Sequence, residues 1–489
     1  MGIGLLNLVS IGKENIYLST EPEITYFKIA YKRYSNFSTE TIAQYFKTVP
    51  DFGRKVTVNI SKTADLLGQI YLWVKLPDII TSNHSTLPNG IKKFAWNKKV
   101  GLSIIRYVDL EISGILIERN YGDWLNIWYE LTTTLGKQKS FTKMVGDIDL
   151  LTDYTNGKKS YSLNIPLNFW FCQDSGLALP LVSMIHNDIK IHVEFNDFDL
   201  CFKQSPTHYI NVNDTICLFK PNEIIQQTYN SNTVSGRFVY FDFVNQNIYY
   251  NKIKGDFVIP TSVNQKIPII GQESLYETNI NVTTTVVKDE SYFRFNNPSI
   301  IESYLLVNYI YLDNDERFKF LTKTHQYLIP VVQNIPEQIA YSTNISYKIP
   351  FINPNKIIFW RCCLLSNINN NDSFNYTINN EPICEKSQII LNSVSRIGST
   401  NNEVYTILQN HMNNFVSSQN GINMYSFALN PMEFQPSGTC NFSQIDDTYL
   451  QLTLNKKINY QNPVNIRGYG IQYNLFRIAD GLGGLGYFL

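Results

Sequence analysis

The sequence predicts an all-β protein folded as two consecutive antiparallel sandwiches or barrels. Three observations carry this. Apolar and polar residues alternate with a period of two in many short runs, turn-forming clusters separate the runs, and 489 residues exceed what one ordinary core encloses. In Asp188-Ile189-Lys190-Ile191-His192-Val193-Glu194-Phe195 the odd positions are apolar and the even ones polar. Val108 to Ile112 and Leu450 to Leu454 repeat the pattern, which puts one face of each strand in a core. Leu87-Pro88-Asn89-Gly90 and Asn367 to Asp372 are turn punctuation of the kind that separates strands. Helical periodicity is confined to short stretches: Ile24 to Tyr34, Trp124 to Thr133 and Asn401 to Asn414.

Composition points the same way and excludes several classes. The chain carries 32 Tyr and 29 Phe, an aromatic load that suits half-buried pleated surfaces. Its 41 basic residues balance 41 acidic ones, so no sequence-wide field draws it to nucleic acid or to an anionic membrane. No apolar stretch reaches the roughly 18–20 residues that span a bilayer. Met1 to Ile11 lacks the basic start and small-residue cleavage site of a secretory leader. The cysteines Cys172, Cys201, Cys217, Cys362, Cys363, Cys384 and Cys440 show no metal-ligand spacing and are odd in number, so the expectation is reduced thiols and assembly in the cytoplasm.

Changes in texture along the chain divide it into an N-terminal arm, residues 1–24, a first β domain, 25–313, a connector, 314–324, and a second β domain, 325–489. Residues 200–302 are polar and rich in Asn and Thr, with strand-like pieces such as Arg237 to Val244. They read as an insertion between the last two strands of the first domain, or as a small domain of their own.

Several strings resemble the major capsid proteins of the nucleocytoplasmic large DNA viruses. Glu23-Ile24-Thr25-Tyr26-Phe27-Lys28 with Tyr31 to Phe37, then Phe52 to Val56, Asp65-Leu66-Leu67 and Tyr121-Gly122-Asp123-Trp124, follow that family's order. Ile165 to Phe171 with Gly176 to Pro180 is similar to its aromatic, proline-bounded segment. Tyr309 to Arg317, with Gln326 to Ile329 after it, resembles its "YIYLDTDER" signature. Tyr425 to Leu429, Gln435 to Ser443 and Tyr473 to Ile478 with Gly481 to Tyr487 continue the match, and Gln444 stands where the family usually has Arg. The resemblance spans the chain except for about 200–302.

The resemblance implies two eight-stranded jelly rolls side by side, with short helices in their loops. It implies a structural subunit that trimerises into pseudo-hexameric capsomers tiling the icosahedral shell of the virion. Runs such as Ile70, Leu72, Val74 and Leu76, or Ile357, Phe359 and Leu364, would fill the cores. The 200–302 insertion would form an outer crown, open to a host surface or fibres. The arm would lie at the inner face, near minor capsid proteins or an internal membrane. A minor capsid paralogue of the same fold is the runner-up, and a carbohydrate-binding β-sandwich the third reading.

The residues that could suggest chemistry read more simply as structure, so no catalytic, cofactor or metal site is expected. Gly481-Leu482-Gly483-Gly484-Leu485-Gly486 fits a dinucleotide-binding expression, yet no strand–turn–helix setting accompanies it. His84, His186, His192, His208, His325 and His411 lack paired ligand spacing; His186 and His192 would share a strand face about 20 Å apart. Asp313, Asp315, Glu316 and Arg317 read as a solvated turn, and Lys92-Lys93 with Lys98-Lys99 as a solvated loop. Ser437 and Cys440 have no base beside them in the sequence. The sequons at Asn213, Asn281 and Asn375 are what so Asn-rich a chain gives by chance.

Overall fold

The computed structural model describes residues 35–487 apart from 80–93, 156, 204–205, 207, 221–222, 243, 263–264, 283–286, 289–297, 379–380, 417–420 and 461. The arm and the helix expected at Ile24 to Tyr34 lie outside the described residues, as do His84, Lys92 and Lys93.

Alternating runs become strands where expected, and sixteen of them form two sandwiches of the same design. In the first, β1 (Phe37–Tyr45), β2 (Lys55–Asn59), β3 (Leu66–Lys75) and β4 (Ile105–Ile112) are followed by β5 (Ile115–Tyr121), β6 (Ser162–Pro166), β7 (Ile189–Phe195) and β8 (Glu302–Leu312). One sheet has the order β1-β8-β3-β6 and the other β2-β7-β4-β5, with every pairing antiparallel. In the second, β9 (His325–Ala340), β10 (Asn344–Lys348), β11 (Pro354–Leu364) and β12 (Cys384–Leu391) are followed by β13 (Val394–Ser395), β14 (Ile422–Ser426), β15 (Thr448–Leu454) and β16 (Val464–Ala479). Their orders, β9-β16-β11-β14 and β10-β15-β12-β13, repeat the first set strand for strand. Each sandwich is a jelly roll.

The first core is filled by the inward residues of its strands, among them Ile70, Leu72, Val74, Ile191, Val193, Leu305 and Val307. The second core departs from expectation. Ile358, Trp360 and Cys362 fill it, whereas Ile357, Phe359 and Cys363 point to the other side and pack with the first sandwich. A strand buried on both faces needs no alternation, so β11 reads as a continuous apolar run whose inward face cannot be told from the sequence.

Loops carry the helices. α1 (Gly122–Thr132) starts two residues before the expected Trp124 and ends one before Thr133; α2 (Leu135–Val145) has weak apolar periodicity and was not foreseen. The run expected at Asn401 to Asn414 forms a π-helical turn, Val404–Leu408, continued by Gln409–Met412. The charged connector is not a turn. Asp313 caps a helix, α3 (Asn314–Thr322), its carboxylate accepting from the Asn314 amide, and acidic residues occupy the first turn where the helix dipole favours them. Arg317 leaves α3 to pair with Asp65 of the first sandwich at 3.1 Å.

Between β7 and β8 the chain builds a separate sheet of seven strands running from His208 to Lys288, with its own small core of Ile210, Ile225, Phe238, Ile248 and Ile269. It is fastened to the first sandwich by pairing of Ala95–Trp96 with Phe202–Lys203 and by stacking of Tyr154 on Tyr240. Two-residue hairpins with both central residues left-handed close several strand pairs: Ser113-Gly114 between β4 and β5, Asn392-Ser393 between β12 and β13, and Asp480-Gly481 after β16.

Candidate assembly surfaces

The sandwiches meet along a joint built by α1 and the loop after β6 on one side and the outer face of β9-β16-β11 on the other. Trp124 of α1 packs edge-on against Phe359 with ring centroids 5.4 Å apart and lies 5.2 Å from Tyr469. Trp170, in the loop after β6, covers Phe476. All these rings are buried. Removing that much apolar surface from water fixes the two bodies against each other.

A charge sits inside this apolar seam. Asp123 Oδ2 accepts from Arg361 Nε at 2.8 Å and from the Tyr469 hydroxyl at 3.3 Å, and its Oδ1 accepts from the Tyr376 hydroxyl at 2.6 Å. Arg361 also donates to the Asn465 side chain, and Arg467, paired with Glu337, adds a second positive field. Burial pushes the Asp123 carboxyl upward, but Arg361 and Arg467 outweigh it and hold the group below the usual carboxylate range. Gly122 sets the entry to α1: a Cβ there would overlap the carbonyl oxygens of Leu102 and Ile105. Gly122→Ala is expected to cost about 3 kcal/mol, measured by urea unfolding, because backbone and not a movable side chain is in the way.

Glu118, on β5, is buried in the same seam beside the backbones of Val332 and Trp170. Neither of its oxygens makes a well-formed hydrogen bond among the described residues. Desolvation raises its pKa to about 8.

Each half of the joint has a counterpart at the same place in the other sandwich, one half-buried and the other exposed. The outer face of β1-β8-β3 carries an aromatic row, Tyr45, Tyr304 and Trp73, with Trp73 stacked on Tyr304 at 4.6 Å, and beside it Leu306 and Tyr71. Tyr45 is 66% exposed. In the second sandwich the helical segment of 404–412 occupies the position of α1, inserting Tyr405 into the core against Trp360. Its outer side leaves Ile407, Leu408 and Met412 exposed at 53%, 48% and 64%. The loop after β14 similarly exposes Leu429, Met432 and Phe434 where the first sandwich presents Trp170.

Comparison with known proteins agrees with this architecture. The family described as major capsid protein N-terminus matches residues 25–245, and the large eukaryotic DNA virus major capsid protein family matches residues 316–484. Probable capsid protein 4 of Acanthamoeba polyphaga mimivirus is 34% identical over all of this chain and 99% of its own length. The chain belongs to this capsid protein family. The major capsid protein of Pyramimonas orientalis virus is 29% identical, with both chains covered in full. The VP54 structure of PBCV-1 shares the fold at a TM-score of 0.62 and 20% identity, covering 95% of this chain and all of that one. This capsid protein is therefore a structural subunit of a large DNA virus capsid.

The residues weighed for chemistry in the capsid protein fall in separate places. His186 is not on a strand with His192 but in the preceding loop, its ring against Gly481. His192 bridges Thr57 and Glu111 on the outer face of the first sandwich. Among the described residues no group of three or more His, Cys, Asp or Glu is placed to hold a metal. Gly481 turns a hairpin rather than opening a helix, so Leu482–Leu485 folds back along β16. Lys99, expected in a solvated loop, is half-buried and paired with Glu130, because α1 brings that carboxylate over it. The Ser437 hydroxyl accepts from the Asn430 amide and shapes a turn. Sequence reasoning missed Arg361, Arg467 and Glu118. For Arg361 the signal was a charge within the apolar run Ile357 to Leu364; the strands that hold Glu118 and Arg467 mix apolar and polar residues and gave none.

Proposed function

We propose that the capsid protein works by closing a ring of three copies, each contributing two wedges to a six-sided tile. The observation that supports this is the unpaired counterpart of the joint. Within one chain, the α1 side of the first sandwich is covered by the outer sheet face of the second. The equivalent helix side of the second sandwich is left apolar and exposed, and the equivalent sheet face of the first is apolar and half-buried, with Tyr45 exposed on its edge strand. Repeating the internal contact between chains satisfies both, and a head-to-tail contact that closes after three steps gives a discrete ring. The pair is too aromatic to be ordinary surface.

In this reading the chain divides into arm, 1–24, first jelly roll, 25–313, connector, 314–324, and second jelly roll, 325–489, with 200–302 as a crown at the outer end. The crown is the surface offered to a host or to fibres. The opposite end, with the arm, meets minor capsid proteins or an internal membrane. The seven unbridged cysteines suit assembly in the reducing cytoplasm. The chain has no catalytic task of its own: its best-organised charged group, Asp123, is consumed by the joint.

Light scattering tests the ring. Purified protein is expected at three times 56.5 kDa. Trp73→Asp and Ile407→Asp are each expected to yield folded monomer with an unchanged circular dichroism spectrum, since a buried unpaired carboxylate opposes association. A wild-type monomer at virion-like concentration, or variants that stay trimeric, would overturn the reading.

A further inference from the structure

At the end of the first sandwich opposite the seven-stranded sheet, two loops, a helix and a hairpin are joined into one surface. β8 begins on the insertion side and runs to Leu312, so α3, directly after it, lies at this far end. Lys62, between β2 and β3, donates to the carbonyls of Met184 and Ile185 in the loop before β7. The Ser183 hydroxyl of that loop donates to the Phe320 carbonyl of α3 at 2.7 Å. Asn187 holds Gly483, in the hairpin after β16, through both ends of its side-chain amide, and the His186 amide donates to the Gly481 carbonyl. Four large apolar side chains stand outward from these joined elements: Ile185, Phe318, Leu321 and Leu482, between 46% and 66% exposed. Scattered single side chains of this kind need no partner, but a group of four on one surface marks a contact.

The chain carries a segment suited to cover it. Phe37 pairs with Leu312, one residue before the Asp313 cap of α3, so the polypeptide that precedes β1 enters from this surface. Ile3-Gly4-Leu5-Leu6-Asn7-Leu8-Val9-Ser10-Ile11 holds six large apolar side chains, and no charge occurs before Lys13. The roughly 25 residues between this run and β1 reach up to about 80 Å, whereas α3 is only about 14 Å long. Such a tether keeps the run near the surface at about millimolar effective concentration. Charge favours it over a membrane. Arg317 is taken by Asp65 and Lys62 by carbonyls, which leaves Lys319 and Lys323 against Asp188, Asp315, Glu316 and Asp480. That balance repels anionic lipid headgroups and is indifferent to an uncharged apolar run.

We infer that residues 3–11 fold back in their own chain and pack on Ile185, Phe318, Leu321 and Leu482. Ile185 belongs to the first sandwich, Phe318 and Leu321 to the connector and Leu482 to the second sandwich, so the docked run braces all three. The inference rests on the reading of residues 1–24 as an arm at this end, and it is independent of ring closure.

The test places the photo-cross-linker p-benzoylphenylalanine at position 318 of the full chain. Irradiation is expected to join that position to the tryptic peptide ending at Lys13, in a product that still runs at 56.5 kDa on a denaturing gel. Leu5→Ser with Leu8→Ser is expected to lower the yield by about fivefold or more, since it strips the run of apolar surface. A product of doubled mass, a link to any other peptide, or no link would each overturn the inference. Trypsin cleavage after Lys13 without denaturant separates the docking from the arm. It is expected to be about fivefold or more faster in Phe318→Ser with Leu321→Ser, exposed positions whose change carries little risk to the fold. Equal rates in the two proteins would overturn the docking alone. A chain cut at Lys13 in neither would overturn the arm, and the docking with it. Light scattering on the same samples reports the ring separately.

Discussion

Asp123→Asn is expected to lower the unfolding free energy by about 3–5 kcal/mol, the range for removing one partner of a buried ion pair. The substitution keeps shape and some hydrogen bonding but leaves the Arg361 guanidinium, itself buried, facing Arg467 with no counter-charge between them. The loss falls on the joint, so the two sandwiches should separate before either unfolds. Urea unfolding followed by Trp fluorescence reads this directly, because Trp124 and Trp170 of the first sandwich pack at the seam against Phe359 and Phe476 of the second. A cycle with Arg361→Met isolates the pair, and the double variant should recover much of the loss. The sign of the pH effect follows from the lowered pKa of Asp123. Its contribution is present above the unfolded carboxylate value near 4 and fades as acid protonates the folded group. A change below about 1 kcal/mol would mean that water reaches the seam.

Glu118→Gln acts in the opposite direction. The folded carboxyl keeps its proton to about pH 8, whereas the unfolded one releases it near 4.5. Between those values unfolding releases a proton, so native stability falls as pH rises, by up to about 1.4 kcal/mol per unit. Glutamine is neutral throughout and matches the shape. The variant should therefore equal the native protein near pH 4.5 and exceed it by a few kcal/mol at pH 8. Melting curves across that range decide the matter; parallel profiles for the two proteins would show that Glu118 is ionised and solvated.

The strands were legible in the sequence wherever one face met water, as at Ile189–Phe195, since alternation then records the core. They were not legible where both faces are covered. β11 gives no phase, so Ile357 and Phe359 were placed in the second core when they belong to the joint. The hairpins after β4 and β12 use Ser-Gly and Asn-Ser rather than Asn-Gly, a weak signal although the backbone is left-handed at both positions. α3 was hidden because Phe318, Phe320 and Leu321 trace no helical stripe among its charged residues and none of its residues is buried. Asp123 lay within a family-like string, but its partner Arg361 follows 238 positions later. No local pattern links residues so far apart. The half-buried aromatic face of Tyr45, Trp73 and Tyr304 could be recognised only once its fully buried twin in the second sandwich was seen.

Everything rests on the contact inside one chain being repeated between chains. Trapping that contact is the most direct test: Tyr304→Cys and Met412→Cys combined, treated with a short bismaleimide and run on a denaturing gel. A covalent band of three chains from the double variant, absent from either single variant, is the result this account requires. Equal cross-linking by the single variants, or none from a solution that scatters light as a trimer, would contradict it.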